Sequence, residues 1–467
     1  MRLLQHYLNY QSDSAKLFEH LRHQPWAIWL DSGQPQGQYG RYDIMVGDPF
    51  ITITSRDTGT AKHPNLKTEV TQNGRVSIVN DDPFTLLNQL LSPYQAAQTT
   101  LPFSGGALGY FGYDLGRQVE GMPSRHLDQA SLASMMVGIY DWAVIVDHRD
   151  QTACLVSHGF NQATHDKWEE LCALFDSPAL VVDSSFELTT PINSNMNINQ
   201  YKQAFDQVKH FITEGDCYQV NLAQRFSAMA HGDSWLPYQK LRQISPAPFM
   251  AYMNFGQMQV LSGSPERFLE VKSNHVETRP IKGTRPRSND IALDQQYAAE
   301  LQASVKDKAE NLMIVDLLRN DISKNCKTGS VKADKLFQLQ SFANVHHLVS
   351  IVSGVLQTGK TPIDLLQGCF PGGSITGAPK LRAMQIIDAL EPSLRGVYCG
   401  AIGYIGFDGN MDTNIAIRTA VYVNGEISFY AGGGIVADSD LDKEYAETLD
   451  KASSLVNTLQ SFKAEKG

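Results

Sequence analysis

Apolar positions come in short runs over roughly the first 190 residues and in longer helical periods after that. Residues 26–30 form a compact apolar run that stops at Asp31-Ser32-Gly33, which predicts a strand and a turn. Residues 44–46 stop at Gly47-Asp48-Pro49, and residues 51–54 alternate as a further strand. Residues 83–91 read as a short helix. The glycine-rich stretch 104–113 predicts a strand pair or a bend where backbones approach closely. Residues 142–146 and 153–157 predict a hairpin. Residues 187–200 are polar and asparagine-rich, the best junction in the chain, and divide it into 1–190 and 191–467.

Beyond the junction, apolar residues at 201, 204/205, 208 and 211/212 predict a helix that Gly215-Asp216 ends. Val220, Leu222 and Phe226 suggest a strand. Residues 250–255 and 257–262 predict a hairpin, with a turn at 263–267. Residues 413–423 and 426–431 predict two strands around Asn424-Gly425, a strong two-residue hairpin signal. Two helices carry carboxylates. Residues 309–322 are apolar nearly all round, which predicts a buried helix, with Glu310 beside Ile314 and Leu317 and Asp307 one turn earlier. Residues 441–460 predict a helix whose stripe is Tyr445, Leu449, Ala452, Val456 and Leu459, with Glu444 and Glu447 opposite. These patterns establish mixed α/β and no more.

Composition narrows the partners. A chain of 467 residues with a net charge of −10 does not favour nucleic acid or an anionic membrane, so any anionic ligand needs a local cluster of cations. The six cysteines form no Cys-x-x-Cys pair, which points away from disulfides and zinc and toward a reducing cytoplasm. The first residues turn polar too soon for a signal peptide, and no apolar run is long enough to span a membrane.

The local cation cluster is 277–287, Glu-Thr-Arg-Pro-Ile-Lys-Gly-Thr-Arg-Pro-Arg. Pro280 and Pro286 exclude the middle of a regular helix, and Gly283 allows a sharp turn or a close approach. A partly desolvated Lys282 among other cations would have a lowered pKa and could act as a nucleophile; a basic surface loop is the plainer alternative. Glu310 buried on its helix needs a salt bridge or a cation. Glu444 and Glu447 are ordinarily the wet face of a helix. If they face Glu310 across a cleft, the oxygen ligands suit Mg²⁺.

Several long motifs, in one order, resemble the chorismate-utilising enzymes: the large subunits of anthranilate and aminodeoxychorismate synthases, and the isochorismate and salicylate synthases. They are 215–222, Ser262-Gly263-Ser264-Pro265-Glu266-Arg267-Phe268, 279–284, 309–317, 370–380, Gly403-Tyr404, 417–420 and 431–436. The resemblance extends over nearly the whole chain. Isochorismate and salicylate synthases carry a water-activating lysine in place of Gln219. Anthranilate synthases carry alanine in place of Lys282. The Pro-Ile-Lys-Gly-Thr form is similar to the aminodeoxychorismate synthases.

The resemblance implies an α/β fold of two large antiparallel sheets packed as a sandwich, helices outside, the active site in a cleft, and the two chain segments interwoven. It implies conversion of chorismate and ammonia into 4-amino-4-deoxychorismate, on the route to p-aminobenzoate and folate. Lys282 would attack ring C2 as the C4 hydroxyl departs, Glu266 would be the general acid, and ammonia would then attack C4 and expel the lysine. Glu310 and Glu447, with Asp307 and Glu444 nearby, would hold Mg²⁺. Arg418, Tyr404, Gly432, Gly433, Gly434 and Gln219 would line the substrate pocket, with Thr376 and His347 as further candidates; an ordinary interior histidine is the alternative for His347. Leu30 and Ser32, with Pro248-Phe249-Met250, match a tryptophan pocket of some relatives, or are an ordinary strand end and loop. Gly368-Cys369 is only a near miss for a glutaminase elbow, so a separate glutaminase subunit is the expected ammonia source. The alternatives are an anthranilate synthase large subunit and a non-catalytic regulatory subunit that binds chorismate or tryptophan.

Overall fold

The short apolar runs are strands: Ala27–Asp31, Tyr42–Val46 and Ile51–Asp57. They belong to a computed structural model that describes residues 3–33, 40–59, 65–123, 132–180, 182–341 and 345–463. The expected hairpins form as Trp142–Asp147 with Thr152–Ser157 and as Phe249–Asn254 with Met258–Ser264. At Asn424-Gly425 both residues have positive φ, 53° and 75°, as a type I′ turn requires. The glycine-rich stretch is one strand, Gly106–Phe111, rather than a pair. A Cβ at Gly109 would stand 2.1 Å from the Met136 carbonyl, which is why a glycine is needed there.

The strands make two antiparallel sheets, of thirteen and twelve strands among the described residues. In both, a block of early strands is joined side by side to a block of late ones. Ala27–Asp31 pairs with Phe249–Asn254 in the first, and Gly106–Phe111 pairs with Ala401–Gly406 in the second. Ile28, Ile44, Met253 and Val260 of the first sheet share a core with Leu108, Tyr110, Met136 and Ile402 of the second, so the sheets pack face to face. Helices cover the outer faces. Trp235–Ile244 and Leu441–Gln460 pack on the first sheet, and Pro83–Leu91, Val305–Ser323 and Pro362–Cys369 on the second.

Two segments cross from one sheet to the other, and they position the site. The strand Met258–Ser264 lies in the first sheet and Arg267–Lys272 in the second, with Pro265-Glu266 between. The run read as one strand, 413–423, is broken. Met411–Ile415 lies in the second sheet, Thr419–Val423 in the first, and Arg418 between them has φ +50°. The crossovers run side by side. Ile415 N donates to Glu266 O at 2.9 Å, and Gly263 N donates to Arg418 O at 2.9 Å. A non-glycine residue held in the left-handed region at such a point is an outlier typical of functional sites.

Both carboxylate helices differ from their expected burial. Val305–Ser323 buries only Asn311, Ile314, Val315, Leu318, Asp321 and Ile322, and leaves Leu312 half-exposed. Asp316, Arg319 and Asn320 keep that outer side wet. Leu441–Gln460 buries Glu444, Thr448, Ala452, Leu455 and Leu459, while Leu449 stays exposed. The helix is turned from its most apolar stripe because the buried polar groups are satisfied. Ser439 donates to Glu444 at 2.6 Å, and Gln224 donates to Thr448 at 2.6 Å. The basic stretch is no loop either: it forms the strands His275–Thr278 and Ile281–Pro286, both paired with Val345–Val355.

Candidate active site

Lys282 lies at an irregularity. Ile281 pairs with Val349 and Thr284 with His347, and the register slips between them. Such a bulge re-aims a side chain off the sheet. Gly283, with φ +83°, takes the tight conformation. A Cβ there would meet Leu301 Cδ1 at 2.8 Å and Asp307 Cβ at 3.0 Å. Lys282 is partly buried, and burial pushes its amine below the ordinary lysine value. Lys451 pushes the same way, while Glu310, Glu266 and Glu447 pull it back. Beside it, His347 Nδ1 is 2.9 Å from the Thr284 hydroxyl. Burial first, then Arg418, takes the His347 pKa down to about 4, so the ring is neutral near pH 7.

Glu266 faces Lys282 from the first crossover. Burial raises its pKa, and the Ser374 hydroxyl, donating to Oε1 at 2.9 Å, opposes the rise. Arg418, on the second crossover, forms no ion pair among the described residues, and burial lowers its pKa. An arginine so placed suits an anionic ligand.

The carboxylates surround a shared set of lysines. Glu447 pairs with Lys451 at 2.6 Å, and Glu310 with Lys306 at 3.8 Å. Burial raises Glu310 and Glu444, with Asp307 and Asp438 adding to the first and Glu447 to the second. Asp307 accepts from Arg285 at 3.3 Å. Lys451 also donates to the Gly432 carbonyl at 3.0 Å. Sequence reasoning missed Lys451; its one signal is its place, one helical turn beyond Glu447. The all-oxygen donor set has the chemistry of a Mg²⁺ site. A Cβ at Gly433 would stand 3.1 Å from Glu444 Oε2 and 3.6 Å from Glu447 Oε1, so the glycine leaves room before those oxygens. Among the described residues no three His, Cys, Asp or Glu side chains stand close enough to hold a metal ion as they are. Each carboxylate is turned to a lysine, an arginine or a hydroxyl.

Gln219 completes the floor. It is fully buried, and neither its amide nitrogen nor its oxygen has a partner. A Cβ at Gly434 would come within 3.0 Å of that amide, so the glycine makes space for it. A buried amide without partners marks a place where a ligand can bond.

Residues 27–457 match the family of chorismate binding enzymes. The chain belongs to that family. It is 46% identical over 457 residues, 97% of this chain and 98% of the relative, to aminodeoxychorismate synthase component 1 of Escherichia coli (strain K12). It is 35% identical to anthranilate synthase component 1 of Aquifex aeolicus (strain VF5), covering 93% of this chain and 89% of the relative. Among solved structures it superposes on anthranilate synthase component I from Streptococcus pneumoniae TIGR4 with a TM-score of 0.78 at 31% identity, covering 90% of this chain and 93% of that one.

In this chorismate-binding enzyme, two expected pocket residues lie otherwise than expected. Thr376 is buried with its hydroxyl donated to the Gly372 carbonyl, so that group is committed to the turn. Tyr404 is carried away from Lys282. It lines a cavity of about 620 Å³ that also touches Leu30, Pro248, Phe249, Met250 and Asp412. Its strand, Ala401–Gly406, touches the crossover only at its first residue, where Ala401 pairs with Ile415, and Tyr404 lies further along, opposite Asp412. Four of the five residues expected to hold tryptophan thus share that cavity with Tyr404. Ser32 is turned aside, its amide and hydroxyl both donating to Asp43 Oδ1, at 2.7 and 2.6 Å.

Proposed function

We propose that the protein is the chorismate-aminating component of an aminodeoxychorismate synthase, acting through a covalent lysine intermediate. The observation that carries the reading is the setting of Lys282, partly buried, with Glu266, Glu310, Glu447 and Lys451 all in electrostatic reach. The high identity to a relative named aminodeoxychorismate synthase component 1 supports it. The neutral Lys282 amine forms a bond to ring C2 as the ring double bonds shift and the C4–O bond breaks. Glu266 gives its proton to the departing hydroxyl, which leaves as water. Ammonia then forms a bond at C4, the double bonds shift back, and the lysine nitrogen departs with its electron pair. Two displacements replace one difficult substitution. Arg418 would hold the enolpyruvyl carboxylate, with the backbone donors around Gly432, Gly433 and Gly434 close to the ring. Incubation with chorismate and an ammonium salt should yield 4-amino-4-deoxychorismate; direct release of fluorescent anthranilate would sink the reading.

Glu310 and Glu447 would hold Mg²⁺, with Asp307 and Glu444 close by. The ion would supply positive charge for the ring carboxylate. Glu310→Gln and Glu447→Gln should each weaken magnesium binding by about 100-fold or more, since even outer-shell partners are worth 10–100-fold. Melting temperature should hardly change. Normal magnesium titration with a lowered melting temperature would make the residue a structural salt bridge instead.

Tryptophan would occupy the cavity beside Leu30 and Met250, as a structural rather than an inhibitory ligand. Denatured extracts of the purified protein should release it, or calorimetry on tryptophan-free protein should detect its binding. Neither release nor binding would remove this part of the reading. The enzyme would work in the cytoplasm beside a separate glutaminase subunit.

A further inference from the structure

We infer that Ser374 is a positioning residue for the general acid, selecting which oxygen of Glu266 carries the proton. The inference rests on the reading of Glu266 as the acid. Its ground is the way the turn that bears Ser374 is built. Gly373–Ile375 is a single turn of 3₁₀ helix with Gly373 and Ile375 buried. A Cβ at Gly372 would meet Ile415 Cδ1 at 2.7 Å and Phe268 Cε2 at 3.4 Å, both beside the Glu266 crossover. A Cβ at Gly373 would meet Leu317 Cδ2 at 2.5 Å, on the helix that carries Glu310. The two glycines let the turn fit where no larger residue can.

The turn is also held from behind. Asn221 donates to the Ile375 carbonyl from its side chain and to the Thr376 carbonyl from its backbone, each at 2.9 Å. Arg395 donates to the Ile375 carbonyl at 3.2 Å, and Thr376 closes the loop onto Gly372. The Ser374 hydroxyl is thereby delivered to Glu266 Oε1 at 2.9 Å. A carboxylic acid has one proton-bearing oxygen and one that only accepts. With the serine donating to Oε1, that oxygen is the acceptor and the proton is left on Oε2. The same donor favours the ionised carboxylate over the acid, so its loss extends the pH range in which Glu266 stays protonated.

The test is the first half-reaction, formation of the Lys282–chorismate adduct without ammonia, followed by rapid quench and mass spectrometry across pH. The rate needs the neutral Lys282 amine and the protonated Glu266 together, so its pH limbs belong to the pair and Glu266 is titrated separately, by its carboxyl carbon-13 shift. In Ser374→Ala that titration should move up by about one pH unit, and the maximal rate should drop about tenfold. Ser374→Thr should restore both. A lower rate with the titration unmoved marks a merely structural serine and overturns the inference, with melting curves separating misfolded protein. A wild-type rate in Glu266→Gln overturns the acid reading and this inference with it. A rate lost in Glu266→Gln while Ser374→Ala leaves both titration and rate in place overturns this inference alone.

Discussion

Lys282→Ala should abolish amination of chorismate, by at least about 10³-fold, without unfolding the protein. The strand that carries Lys282 is fixed by Gly283 and by pairing with Val345–Val355, neither of which needs the amine. Wild-type protein mixed with chorismate, in the absence of ammonia, should gain a covalent adduct on Lys282. Its rate should rise with pH as the amine loses its proton, beginning below the ordinary lysine range because burial and Lys451 lower that pKa. It should fall again as Glu266 ionises, later than for an ordinary carboxyl because burial raises it. The two shifts converge, so more of the enzyme holds the neutral amine and the protonated acid together. The apparent pKa values belong to the coupled pair rather than to either residue. Full activity in the variant, or an adduct at another residue, would refute the nucleophile.

The elements legible in the sequence are those whose signal is local. The helices Pro83–Leu91 and Leu441–Gln460 run where the apolar period starts and stops, and Asn424-Gly425 turns as that dipeptide demands. What stayed hidden depends on distant parts of the chain. The run 413–423 reads as one strand because each of its residues suits a strand. It breaks at Arg418 because its two halves find partners in different sheets, Arg267–Lys272 on one side and Met258–Ser264 on the other. Likewise Glu444 looks like a solvated residue until Ser439 is brought to it, and Leu449 looks like core until the helix turns.

The site was legible as motifs and much less as geometry. Spacing could not tell that Lys451 would come within electrostatic reach of Lys282, because the pair joins the last helix to a strand some 170 positions earlier. Tyr404 shared a motif with Gly403, but a motif does not say which face of the sheet a tyrosine takes. Burial in the inter-sheet cavity decided that. Gln219 gave no sign of its unpartnered amide, a property of the assembled floor beneath Gly434.

Purified protein should aminate chorismate with ammonium salts, better at higher pH, and should not use glutamine. Ammonium has no lone pair with which to attack carbon, so only the free base reacts and its share grows with pH. Glutamine hydrolysis by an amidotransferase of the cysteine type needs a thiol on an exposed elbow, activated by a base. Cys369 is the one residue whose surroundings hint at such an elbow, and its setting is the opposite. It ends the helix Pro362–Cys369, is fully buried, and has its thiol pushed up by burial first and then by Asp321. A thiol so placed is inert packing rather than a nucleophile. The other five cysteines are also free, and four of them are buried as well. Adding a glutaminase subunit should restore glutamine-dependent synthesis at neutral pH, where ammonium salts alone are a poor source. The restored rate should vanish when the subunit's own thiol is alkylated, while turnover with ammonium salts survives. Strong glutamine-driven turnover by this chain alone, lost on alkylation of Cys369, would overturn the division of labour.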